Sequence, residues 1–227
     1  MAPLIYNGWE GYSVSFGEAV RSWVEGKQTG EEAVAVLDEV QQQKKESGTT
    51  YYGEATELLD TTQAAQLSGQ IFLEATGADA ALISYNIYQT EVLSNLENGY
   101  GANGQILPGK MSEEDITIFL PTGWYDTLQT ATLTGNQIKQ MAKDGCDLRD
   151  NGYPYPYVLM TKDGSALEDE NEYTVVICGI PKAMKESGSL NLQDTGIVGL
   201  DAAKEYLTKV GELSSATLDD YLVQIVE

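Results

Sequence analysis

The sequence is 227 residues long, carries 13 Lys and Arg against 35 Asp and Glu for a net charge of −22, and contains no histidine. The length suits one large domain or one domain with an appendage, and without histidine the chain is not expected to perform metal-dependent hydrolysis or histidine-activated nucleophilic catalysis by itself. The acidity argues against nucleic acid or an acidic membrane surface as a partner, and Arg21 and Arg149, the only arginines, form no cluster to clamp phosphate.

Hydrophobic residues make up 42% of the chain, enough for a real core. The longest apolar runs, Ala80–Ile83 and Val175–Ile180, have the length of strands and fall far short of the roughly 20 residues of a membrane span, so no membrane insertion is expected. No charged start followed by an apolar stretch marks a signal peptide. The acidic surface fits solubility, and it also fits an extracellular or cell-surface habitat. Of the two cysteines, Cys146 and Cys178, the second sits among Val175, Val176 and Ile177 and reads as a buried free thiol in a strand; pairing of the two remains the other reading.

Phe16, Ala19, Val20, Trp23 and Val24 recur at helix spacing, and Gly26-Lys27 ends that run. Thr29, three residues before Glu32, forms a capping box that opens a second helix with Ala33, Val36, Leu37 and Val40 on one face. The polar stretch 41–48 reads as the fraying end of that helix and a linker. Residues 1–48 are therefore expected to be a helical pair and linker, and the end of a preceding domain is a further reading of them. Residues 49–227 are expected to form a separate mixed α/β domain.

Within that domain a helix is expected over Thr62–Glu74, with Ala65, Leu67, Ile71 and Phe72 partly buried. Thr76-Gly77-Ala78-Asp79 turns the chain into a short strand, Ala80–Ser84, and a polar loop covers 97–109. Ser112 caps a short helical turn that ends before Pro121. Asp126–Leu133 alternates like a strand, and Thr134 with Gln137 is a capping box for a helix carrying Ile138 and Met141. Tyr153-Pro154-Tyr155-Pro156-Tyr157 reads as a stiff edge segment. It leads into a strand at Tyr157–Thr161, a Lys162-Asp163-Gly164 turn and another strand at Tyr173–Cys178. A closing helix spans Leu200–Val210, with Ala203, Tyr206, Leu207 and Val210 on one face.

Four segments in order resemble the C-terminal domain of the 5′-nucleotidase family. They are Phe72–Ile83 with its Ala-Thr-Gly-Ala-Asp turn; Leu107–Ser112 followed by Ile118-Phe119-Leu120-Pro121; Leu133-Thr134-Gly135-Asn136-Gln137-Ile138-Lys139; and Lys162–Leu167 followed by Tyr173–Val176. The resemblance implies the α/β fold, with a mixed sheet, of that substrate-recognition domain, a cell-surface or secreted protein, and a ligand that is nucleoside-like or another small polar molecule. It also implies that the divalent metals and catalytic residues belong to a preceding metallophosphatase domain in a parent chain. No catalytic residue, metal ligand or cofactor is expected within these residues.

The recognition motifs depart from the family pattern. The family's Asn-Gly-Gly-Ile-Arg segment corresponds here to Ser84-Tyr85-Asn86-Ile87-Tyr88-Gln89. In its Pro-Phe-Gly-Asn loop the stacking phenylalanine is Thr122 and the asparagine is Trp124. Gly123 is retained and Tyr125 follows. The late Gly-Gly-Asp-Gly-Tyr motif has no equivalent. The expected ligand-binding residues are Tyr85, Asn86 and Tyr88, just past the end of a strand, and Gly123, Trp124 and Tyr125. Trp124 either supplies a stacking platform in place of the lost phenylalanine or fills the emptied pocket as core. Tyr85, Asn86 and Tyr88 either contact a ligand or cover the core. Three functions remain open: a non-catalytic, degenerate recognition domain; the recognition half of a two-domain nucleotide-hydrolysing enzyme; and a structural or protein-interaction module.

Overall fold

The computed structural model describes residues 19, 21–46, 48–84, 104–121, 126–144, 157–178 and 190–218. The chain divides into two compact units, Met1–Thr50 and Tyr51–Glu227.

In the first unit, residues 21–24 are helical and α1 spans Gly30–Glu46. The capping box forms as its spacing predicts. Glu32 accepts the Thr29 backbone N–H at 2.7 Å, and Thr29 Oγ1 accepts the Glu32 N–H at 3.2 Å. The stretch read as a fraying end is helical as far as Glu46, because Gln, Lys and Glu are good helix formers. Ala19 and Ala33 are buried, but Trp23 and Val24, expected on an apolar face, are 54% and 75% exposed.

In the second unit the elements are β1 (Gly53–Ala55), α2 (Thr61–Thr76), β2 (Ala80–Ser84), β3 (Gly109–Met111), α3 (Glu113–Phe119), β4 (Thr127–Thr134), α4 (Gly135–Asp144), β5 (Tyr157–Thr161), β6 (Glu172–Cys178), β7 (Gln193–Val198), α5 (Gly199–Val210) and β8 (Glu212–Leu213). Five strands form the main sheet in the order β5-β2-β6-β4-β7. β2 and β6 are parallel, and the other neighbours are antiparallel. A small sheet, β3-β1-β8, joins segments distant in the chain, with β1 antiparallel to β3 and parallel to β8.

The central strands are buried on both faces, which is why they read as unbroken apolar runs rather than alternating ones. Ala81, Ile83, Val158, Met160, Val176 and Cys178 point to one face and join a cluster with α2, α3, α5 and the small sheet. Ala80, Leu82, Leu159, Val175 and Ile177 point to the other and pack with Ile138, Met141 and Ala142 of α4. Ala65, Leu67, Ile71 and Phe72 of α2, expected to be partly buried, are fully so, because both the sheet and α5 cover that helix.

Local chemistry fixes the ends of these elements. Asp60 and Gln63 exchange hydrogen bonds at 2.8 and 2.9 Å to start α2. Gly77 ends it in the left-handed region at φ 67°, where a side chain would be strained. Ser112 with Asp115 starts α3, and Thr134 with Gln137 starts α4.

Asp79 closes the end of the sheet where β2 begins. Its carboxylate accepts the Thr174 N–H at 3.0 Å and the Lys162 ammonium at 2.5 Å. Its backbone N–H donates to Thr174 and its carbonyl accepts from Lys162 N–H, so one residue ties β2 to both neighbouring strands. The Lys162 hydrogen bond, aided by the Thr174 N–H, holds the Asp79 carboxyl below its ordinary value. Replacing Asp79 with alanine is expected to cost about 1–3 kcal/mol at neutral pH, whereas Lys162→Met, which removes only an exposed pair, costs about 0–1 kcal/mol. A carboxyl depressed in the folded state stabilises above its unfolded value and loses that contribution as pH falls through the folded one. The gap between wild type and Asp79→Ala should therefore be full at pH 7 and shrink below about pH 4, as measured by denaturant unfolding across pH.

Candidate functional site

One end of the main sheet gathers most of the strand termini. β2 leaves it at Ser84, β6 at Cys178 and β7 at Val198, while β4 enters at Thr127 and β5 at Tyr157. The pairings Ser84 with Tyr157, Ile83 with Cys178 and Thr127 with Val198 place these residues in one row across the sheet. The first turn of α5 starts at the same end, and the Gly199 N–H donates to the Asp126 carbonyl at 3.1 Å. The sheet's connections therefore open outward from one rim, opposite the end that Asp79 closes.

The six expected ligand-binding residues, Tyr85, Asn86, Tyr88, Gly123, Trp124 and Tyr125, lie outside the described residues. Their points of attachment are described. Tyr85 follows the last residue of β2, and Tyr125 precedes Asp126 at the start of β4. A single strand, β6, separates β2 from β4, so at about 4.8 Å per strand the two attachment points stand about 10 Å apart. That spacing is of the order of a small polar ligand. Positions almost 40 residues apart in sequence are thus rooted at one rim.

The described residues at this rim carry no poised reactive group. Cys178 is a buried free thiol, and burial, helped by the charge of Asp126, pushes it up to about 12. It stays protonated at neutral pH and is not a nucleophile. Cys146 lies outside the described residues. Asp79, Glu57, Asp163 and Asp194 all have carboxyls held below their ordinary values by hydrogen bonds, chiefly from Lys162, Ser215, Ser165 and the Gly196 N–H respectively. Such groups are ionised acceptors at neutral pH, whereas a general acid needs a raised carboxyl. Among the described residues no three His, Cys, Asp or Glu side chains are grouped to hold a metal.

The sequence alone did not disclose β7, which brings Val198 and the start of α5 to this rim. The signal was faint. Only Ile197 and Val198 in that strand are apolar, and Gly196 interrupts it at φ 70°.

The mixed sheet, the helix-covered face and the order of elements give this chain the fold of the 5′-nucleotidase C-terminal domain. NAD nucleotidase of Haemophilus influenzae is similar in structure, with a TM-score of 0.51 and 12% identity over 82% of this chain and 40% of that one. A 5′-nucleotidase precursor from Thermus thermophilus matches with a TM-score of 0.48 and 17% identity, over 80% of this chain and 41% of that one. A putative 5′-nucleotidase from Staphylococcus aureus matches with a TM-score of 0.49 and 10% identity, over 86% of this chain and 43% of that one. The chain thus spans about two fifths of the length of these proteins. No family model and no curated protein matches the sequence.

Proposed function

We propose that this chain is a non-catalytic recognition domain that holds a nucleoside-like or other small polar ligand at the open rim of its main sheet. The supporting observation is the shared rim, where the segments bearing Tyr85, Asn86 and Tyr88 and bearing Gly123, Trp124 and Tyr125 attach one strand apart. In this reading Trp124 is the stacking platform and Asn86 pairs with a polar edge of the ligand. The lost arginines and the −22 net charge disfavour a phosphorylated ligand, so a nucleoside should bind at least as well as its nucleotide. An extracellular or cell-surface location fits the acidity, and among the described residues no helix is long and apolar enough to cross a membrane.

Titration calorimetry with nucleosides, nucleotides and sugars tests this reading. Saturable binding of a nucleoside is expected, and Trp124→Ala should weaken it by about 1–3 kcal/mol, roughly 5- to 150-fold. No binding of any of these compounds would leave the structural or protein-interaction module as the better reading.

The second reading is a recognition half within a longer hydrolase. It is favoured by the coverage of only 40% of NAD nucleotidase. Both readings predict that the isolated chain releases no phosphate from nucleotides with added manganese or zinc. Phosphate release would overturn the non-catalytic assignment.

A further inference from the structure

A cleft of about 400 Å³ opens between α2, β7 and α5, on residues separate from the sheet rim. Ile71, Ile197 and Ala202 contribute apolar surface to it, and Glu74, Asp201 and Glu205 bring three carboxylates. No lysine or arginine lines it. Its volume falls within the range of small-molecule sites, about 300–1,000 Å³.

The negative charge here is only partly answered by the protein. Glu74 meets Lys209 at 2.7 Å in an exposed pair. Asp201 is 3.6 Å from Lys204, but that ammonium sits closer to Glu113, at 2.6 Å. Glu205 makes no ion pair among the described residues. Ile71 is fully buried, while Ile197 remains half-exposed at the cleft. An apolar floor rewards an apolar body, and a carboxylate rim rewards a cation and repels an anion. The complement of both is a compact organic cation.

We infer that this cleft binds an organic cation, a primary ammonium on a small apolar body, with Glu205 and Asp201 facing the charge and Ile71, Ile197 and Ala202 contacting the body. The test is an NMR titration of the full labelled chain with phenethylammonium at constant ionic strength. Phenylpropionate, of similar shape and opposite charge, is the comparison. Saturable shifts are expected at Ile71, Ala75, Ile197, Val198 and Ala202 with phenethylammonium, and none with phenylpropionate. Glu205→Gln and Asp201→Asn alter exposed side chains and should fold; each is expected to weaken binding about 3- to 10-fold. Glu170→Gln, which changes an exposed carboxylate outside the cleft, should leave it unchanged. Non-saturating shifts spread over the acidic surface would overturn the proposal, as would equal affinity in the Glu205→Gln/Asp201→Asn double variant.

Discussion

Replacing Phe72 with alanine is expected to destabilise the second unit by about 3–5 kcal/mol, the largest effect of any single substitution considered. Phe72 is fully buried on the inner side of α2, within the cluster that contains Ile83, Met160, Val176, Leu200 and Leu207. Truncation to alanine removes the ring from apolar surroundings and leaves a void that the sheet on one side and α5 on the other hold open. Domains of this kind are stable by only about 5–15 kcal/mol, so the loss is a large share of the whole. Phe72→Leu keeps most of the volume and should cost well under half as much. Guanidinium unfolding of the three proteins measures the difference, and equal midpoints for wild type and Phe72→Ala would contradict this packing. The effect bears on the proposed function because α2 lies against β2, the strand from which Tyr85, Asn86 and Tyr88 follow.

Gly135→Ala is the second large effect, and two principles oppose each other there. Gly135 is the first residue of α4, and alanine in a helix is favoured over glycine by up to about 1 kcal/mol. A Cβ at this position would stand 2.3 Å from the carbonyl oxygen of Glu168 and 2.9 Å from its carbon. That neighbour is backbone and has little room to yield. The Gly135 N–H donates to Asn171 at 3.0 Å and the Asn136 N–H to Asp169 at 3.1 Å, so the start of α4 is stitched to the 168–171 turn that the Cβ would push away. The clash should win, with a net cost of about 1–3 kcal/mol and a fall in Tm of several degrees. Gly69→Ala is the informative contrast. Its nearest obstacle, at 2.8 Å, is the sulfur of Met160, which can rotate aside. A Tm loss for Gly69→Ala as large as that for Gly135→Ala would contradict the backbone explanation.

The parts of the fold visible in the sequence are those whose physics is local. β2, β5 and β6 stand out because burial on both faces leaves runs such as Ala80–Ile83 without polar interruption. α3 and α4 announce themselves through Ser112 and Thr134, whose caps are made by side chains three residues ahead. β1, β3 and β8 could not be seen. They are two or three residues long, too short to show alternation, and exist because Glu54 pairs with Lys110 on one side and Glu212 on the other. β7 is an edge strand whose first residues, Gln193-Asp194-Thr195, are polar, so pairing with β4 defines it rather than composition.

The candidate rim was legible as two separate motifs, one around Asn86 and one around Trp124. Their adjacency was not, because it depends on β6 inserting between β2 and β4, a long-range pairing that no window of sequence contains. The acidic cleft was hidden for the same reason. Glu74 and Glu205 are ordinary solvent-facing positions on their own helices, and only the packing of α5 beside α2 and β7 brings them to one cavity.

The most direct test of the recognition assignment is a backbone amide NMR titration with adenosine. The account predicts saturable shifts clustered at the open rim, at Ser84, Asp126, Thr127 and Cys178, with Asp79 and Lys162 at the opposite end of the sheet unmoved. Saturable shifts that avoid the rim, or no shifts with any nucleoside, would contradict it.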